Sequence, residues 1–116
     1  MIRITAVYPN SPGSYFDSRY YLGPHASFAG SLLRPHGLVG LRITTGISGI
    51  DGAPPPFWAV SEMLFESRAA FDAAMSHSGA ELMQDAAKFT DVAPILQVSV
   101  LTESAFFSQP QRGEME

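Results

Sequence analysis

The sequence contains no cysteine. Disulfides, thiolate nucleophiles and thiolate-ligated zinc are therefore excluded. Lysine occurs once, at Lys88, and the seven Lys and Arg residues are scattered from Arg3 to Arg112. With no basic run or stripe, the electrostatic footprint of nucleic-acid binding is missing and no nucleic-acid partner is expected. Charged residues fill only 16% of the 116 positions, below the ~25% usual for soluble domains. So little charge points to a surface partly covered by a partner subunit. No apolar run approaches the ~20 residues of a membrane span, so no membrane partner is expected. The segment Met1 to Val7 alternates and lacks the basic start and apolar run of a signal peptide. A cytoplasmic location is the expectation.

Apolar residues make up 46% of the chain, enough for one ordinary core. The length fits one domain, expected over 1–104, with a polar C-terminal tail over 105–116. Ile2, Ile4 and Ala6 alternate with Arg3, Thr5 and Val7, the period of a strand. Pro9 to Gly13 punctuates its end. Asp17 is a good N-cap for a helix carrying Tyr20, Tyr21, Phe28, Leu32 and Leu33. Pro24 cannot donate to the Tyr20 carbonyl and disfavours helix at Gly23. A kink or two helical pieces is therefore expected there, with His25 just past the break.

Leu38 to Ile47 and Phe57 to Phe65 read as strands, joined by a Gly/Pro-rich loop, and the second reads as buried on both faces. Ser67 caps a short helix ending near His77. Ser78 and Glu81 have capping-box spacing, which predicts a second short helix with Leu82, Met83 and Ala86 inward. Ile95 to Thr102 is the last strand. The order β-α-β-β-α-β predicts an α+β, ferredoxin-like fold with a four-stranded antiparallel sheet. Its second face would be bare, and both faces of the last two strands carry apolar residues. Sheet-to-sheet association into a homodimer is the simplest cover.

Chemistry concentrates between Tyr15 and His25. His25 is the first candidate, because a free imidazole titrates near ~6.5 and serves as acid or base near neutrality. On an uninterrupted helix Asp17, Tyr21 and His25 would share a face at steps of four. An acid could then orient the tyrosine or the imidazole. Tyr20 is the other candidate phenol. Tyr8, Tyr15, Phe28 and Trp58 are candidates to line a pocket for an apolar or aromatic molecule. Core packing is the competing role for each aromatic, and a backbone-bonded core histidine is the competing role for His25. His36 reads as a surface turn and His77 as the end of a helix. Three histidines this scattered have no metal-site spacing. Asp91 reads as organising the turn before the last strand.

Several stretches together resemble the EthD-domain family, named for ethyl tert-butyl ether degradation. They are Tyr8-Pro9, Phe16-Asp17, Tyr20-Tyr21-Leu22, His25, Gly37-Leu38, Pro55 to Val60, Phe65-Glu66-Ser67, Ala70-Phe71, Phe89-Thr90-Asp91 and Ile95 to Ser99. The resemblance covers nearly all of residues 2–103 in the same order. It implies a dimeric α+β barrel, in which two ferredoxin-like sheets pack together, and it places the family's histidine on His25. Where that histidine is often followed by Pro-Leu, this chain has Ala26-Ser27-Phe28.

Three functions follow. The first is a cofactor-independent enzyme on a small apolar or aromatic molecule, with His25 moving a proton in a cyclisation, isomerisation or decarboxylation. The second is a non-catalytic binding or accessory protein for an oxygenase system. The third is a haem-binding barrel with His25 as axial ligand.

Overall fold

A computed structural model describes residues 1–102; the expected tail lies outside the described residues. Strand β1, Ile2–Pro9, sits inside the sheet. Its side chains alternate in burial, with Ile2, Ile4, Ala6 and Tyr8 turned into the core. It pairs antiparallel with β3, Phe57–Phe65, on one side and β4, Ile95–Val100, on the other. Strand β2, Leu38–Thr45, pairs with β3 and completes the order β2-β3-β1-β4. Directly opposed residues share a face. Ile4, Met63, Val98 and Leu41 therefore belong to the core side. Thr5, Glu62, Gln97 and Arg42 belong to the other side. The α+β class and the four-stranded antiparallel sheet match the expectation.

Two helical layers follow β1 and β3. The first comprises α1, Ser18–Tyr20, a π-helical turn, Tyr21–His25, and α2, Ala26–Leu33, before a 3-10 turn, Arg34–His36. Asp17 caps it as expected, accepting the Tyr20 amide on Oδ1 at 3.2 Å. The expected break at Gly23-Pro24 takes the form of the wide π turn. Pro24 lacks the N–H that the Tyr20 carbonyl would accept, and widening the turn keeps the chain helical around that gap. Pro24 thus lies inside the break rather than early in the second piece, which begins at Ala26.

The second layer departs from the expectation. It is a single helix, α3, Arg68–Ala86, with no interruption at Ser78. Ser67 is its cap, accepting the Ala70 amide at 3.1 Å. Ser78 cannot cap because it is buried at 1% exposure on the inward face, with Ala74 and Asp85. Gly79 costs the helix interior about 1 kcal/mol relative to alanine but contains no breaker. His77 is consequently mid-helix, not near a helix end. Met83, expected inward, is 67% exposed.

The core divides along the sheet. One end gathers Ile2, Ile4, Leu33, Leu38, Phe65 and Ala74. The other gathers Ala6, Tyr8, Tyr21, Ala59 and Phe89, with Phe16, Tyr20 and Trp58 packed on it. Strand β3 is not buried on both faces in the single chain. Ala59, Ser61 and Phe65 are buried, whereas Val60, Glu62 and Leu64 are only partly so.

The β2–β3 connection is closed by the Gly46 amide donating to the Trp58 carbonyl at 2.9 Å. A Cβ on Gly46 would collide with the Phe57 carbonyl and meet the Pro55 ring at 2.8 Å, whereas one on Gly23 meets nothing within 4 Å. Gly46→Ala is therefore expected to destabilise by about 1–3 kcal/mol, as overpacking does. Gly23→Ala should be neutral or stabilising by up to ~1 kcal/mol. Urea midpoints of the two variants check this; equal effects would contradict the assignment of Gly46 as sterically required.

Candidate functional site

The aromatic end of the core carries a polar cluster buried between the two helical layers. At its centre is Asp85, in the last turn of α3 and 7% exposed. A carboxylate there meets two penalties, desolvation and the negative end of the helix dipole. Three partners offset them. His25 Nδ1 lies 2.7 Å from Oδ2, the Tyr20 hydroxyl donates to Oδ1 at 2.8 Å, and Lys88 Nζ stands 3.5 Å from Oδ1. Burial pushes the Asp85 carboxyl up, but the hydrogen bonds from His25 and Tyr20 and the nearby cationic groups outweigh it and hold it below the ordinary carboxylate value. Asp85 is thus ionised at neutral pH and can only accept hydrogen bonds. His25 must therefore present Nδ1–H to it, so that in a neutral ring Nε2 is the nitrogen with the lone pair.

The π turn makes this geometry possible. Tyr20 and His25 are five residues apart, which on a regular helix of 3.6 residues per turn separates their side chains by about 140°. One wide turn closes most of that angle. Both then reach the same carboxylate, 60 or more positions away in sequence.

Around this cluster the rings interlock. Phe89, fully buried, contacts Tyr8, Phe16, Tyr21 and His25 with centroids 5.8, 5.4, 4.9 and 4.6 Å away. The Tyr21 ring stacks on His25 at 5.8 Å and 15°. Backbone ties hold the frame. The Asp17 amide donates to the Phe89 carbonyl at 2.7 Å, the Thr90 hydroxyl to the Tyr15 carbonyl at 2.7 Å, and the Tyr15 amide to Asp91 Oδ1 at 2.8 Å. Asp91 thus fastens a segment 76 residues away, beyond the local turn role expected of it.

Three phenols are held neutral. Burial, reinforced by Tyr21, raises Tyr8 well above its ordinary value. The hydrogen bond to Asp85 chiefly raises Tyr20. Burial raises Tyr21, moderated by the Ser61 hydroxyl. Tyr21 Oη is nevertheless buried without a hydrogen bond of proper geometry, Ser61 included. An unsatisfied buried hydroxyl costs about 1–3 kcal/mol.

Of the residues singled out by sequence, His25, Tyr20 and Tyr21 come together here, with Tyr8 in the ring cluster. Trp58 stacks on Phe16 at 6.1 Å and donates Nε1–H to Ser14 Oγ at 2.8 Å. Asp17 does not join His25; its carboxylate caps α1. Tyr15 and Phe28 are 53% and 36% exposed, outside the ring cluster. Asp85 was not among the candidates. A lone acid near a helix end reads as a solvated surface charge. The available signal is its register, seven positions after buried Ser78 on the face begun by Ala74.

No helix among the described residues is long and apolar enough to cross a membrane. Residues 16–93 match the EthD domain family model. An EthD-like protein from Ralstonia eutropha JMP134 is 35% identical, over 89% of this chain and 95% of that one, with a TM-score of 0.79. An EthD-family protein from Bacillus halodurans C-125 is 21% identical over 88% and 99% of the two chains, TM-score 0.59. SnoaB, a cofactor-independent oxygenase from Streptomyces nogalater, shares the fold at 8% identity, 89% and 92% coverage and a TM-score of 0.58. No curated protein matches the sequence.

The Asp85 shift gives a pH dependence with a definite sign. A depressed folded-state value means the carboxylate stabilises the fold above its unfolded value of ~3.9, and that this stability is lost as pH falls through the lower folded value. Asp85→Asn should lower stability at pH 7 by about 1–3 kcal/mol and flatten the acid limb below pH ~4. Urea melts between acid and neutral pH check this. An unchanged acid limb would show that Asp85 is not held ionised by its partners.

Proposed function

Because this chain belongs to the EthD-domain family, we propose that it acts on a small apolar or aromatic molecule, with His25 as the proton-transfer group. Family membership supports a small-molecule-binding or enzyme-like protein. The observation that carries the finer reading is the 2.7 Å contact between His25 Nδ1 and the ionised Asp85. An imidazole whose Nδ1–H is fixed on a carboxylate has Nε2 free to accept a proton, and the carboxylate stabilises the imidazolium that results.

The step is a proton abstraction. Nε2 takes a proton from a carbon next to a substrate carbonyl, and the electron pair of the broken C–H bond moves onto the carbonyl oxygen as an enolate. The Tyr21 hydroxyl, kept protonated by burial and lacking a partner, suits that oxyanion. Returning the proton from Nε2 to another position completes an isomerisation. Attack of the enolate carbon on a second carbonyl of the same molecule, with the proton delivered to the new alkoxide, completes a cyclisation. Loss of carbon dioxide from a β-keto acid, followed by protonation of the enolate, completes a decarboxylation. These steps need no group beyond the side chains named, and the reading assigns no cofactor.

The same reading includes a homodimer. The side of the sheet away from the helices carries Val7, Val60 and Leu64 beside Thr5 and Glu62. On edge strand β4 the same side carries Ile95, which is 60% exposed. Leaving such side chains wet costs about 1.5–3 kcal/mol each relative to full burial, and a two-fold partner removes that cost.

Two measurements test these claims. With enolisable aromatic ketones and β-keto acids as substrates, His25→Ala should lower turnover by about 10²–10⁴-fold while circular dichroism is unchanged. Equal turnover in wild type and variant would overturn the catalytic role. Ligand binding without turnover in the wild type would support the binding-protein reading in its place. Light scattering at micromolar concentration should give twice the 12.5 kDa chain mass. A monomeric mass would rule out the dimer.

A further inference from the structure

A second pair of imidazoles lies outside the cluster around Asp85. His36, in the Arg34–His36 turn, and His77, midway along α3, face each other with ring centroids 4.4 Å apart and planes 39° from parallel. They come from segments 41 positions apart, and the approach is built into the backbone. Gly37 ends the turn at φ +99°, where side chains are strained, and a Cβ there would stand 3.1 Å from the Ala70 Cβ. The turn is therefore pressed against α3, with Pro35 limiting the backbone just before His36. His77 Nδ1 lies 3.2 Å from the hydroxyl of Ser78, which is 1% exposed. With Nδ1–H donating to Ser78, the Nε2 of His77 is bare and faces no competing hydrogen bond among the described residues.

We propose that His36 and His77 form a two-imidazole site for a borderline divalent transition-metal ion of the copper, nickel or zinc class. Neutral imidazole is the preferred ligand of these ions. With metal–nitrogen bonds of ~2.0–2.1 Å, two imidazoles in neighbouring coordination positions have ring centroids roughly 4.5–5 Å apart. The observed 4.4 Å separation lies close to that range, and the exposed His77 ring can turn to meet an ion. The Ser78 hydroxyl supplies the outer hydrogen bond that such ligands use to fix their tautomer. Water completes the shell, since no cluster of three or more ligand side chains occurs among the described residues. Glu81, one helical turn beyond His77, adds a negative charge along α3 that counters the positive Arg34 near His36. A bound ion bridges the turn to α3 and so stabilises the folded chain over the unfolded one.

The test uses tag-free full-length protein. Titration with copper(II) chloride in a calorimeter should show one site per chain that weakens at least tenfold in His36→Gln and, separately, in His77→Gln. Zinc(II) should shift the ring resonances of both His36 and His77 in long-range proton–nitrogen spectra. It should also raise the melting temperature of the wild type but not of either variant. Unchanged copper affinity in either variant, or zinc shifts confined to one of the two rings, would overturn the proposal. The spectra remain decisive if a variant folds poorly, because they are read on the wild-type chain.

Discussion

A buried carboxylate at the wrong end of a helix is the constraint on which this structure turns. Asp85 lies in the last turn of α3, where neither the dipole nor the surroundings favour a negative charge. An unpaired buried charge costs several kcal/mol; hydrogen bonds to a charged group return about 1.5–3 kcal/mol each. The Tyr20 and His25 contacts, with Lys88 at 3.5 Å, bring the two sides near balance. Docking of the first helical layer on α3 and ionisation of Asp85 are therefore one event. Neither Tyr20 nor His25 could be moved independently without leaving charge exposed to an apolar cluster.

The rest of that end of the molecule keeps this contact in register. Phe89, just past α3, fills the space beneath both helical layers and touches His25 directly. The Asp17–Phe89, Tyr15–Asp91 and Thr90–Tyr15 hydrogen bonds fix the entrance to the first layer against the exit from α3. Rigid aromatic packing gives the imidazole few alternative positions. That is the condition under which a single histidine can hold one tautomer and aim one nitrogen. The Tyr21 hydroxyl is the exception to polar satisfaction here.

How much of this was legible in the sequence depended on the range of the interaction. Period-two alternation in Ile2 to Val7 located β1, and Asp17 identified its own cap, because both effects act within a few residues. Pro24 announced a break for the same reason, although the amide it lacks does not say whether a kink, a gap or a π turn results. Ser78 and Glu81 misled, since capping-box spacing is a local signal that burial of Ser78 overrides. Asp85 offered only one weak local signal, its register along α3. Its partners are 60 and 65 positions away, and its burial follows from the continuity of α3, which the Ser78 signal concealed. The uncovered sheet face was legible as the second set of apolar residues along β3, Val60 and Leu64, and as Ile95 on β4.

Asp85 is held to fix the His25 tautomer, and nitrogen-15 spectroscopy of the His25 ring reads that state directly. Near neutral pH, long-range proton–nitrogen correlations of His25 should show a protonated Nδ1 and an Nε2 carrying a free lone pair in its neutral form. Asp85→Asn should abolish that preference. A neutral His25 protonated at Nε2 in the wild type, or a tautomer indifferent to Asp85→Asn, would contradict the account.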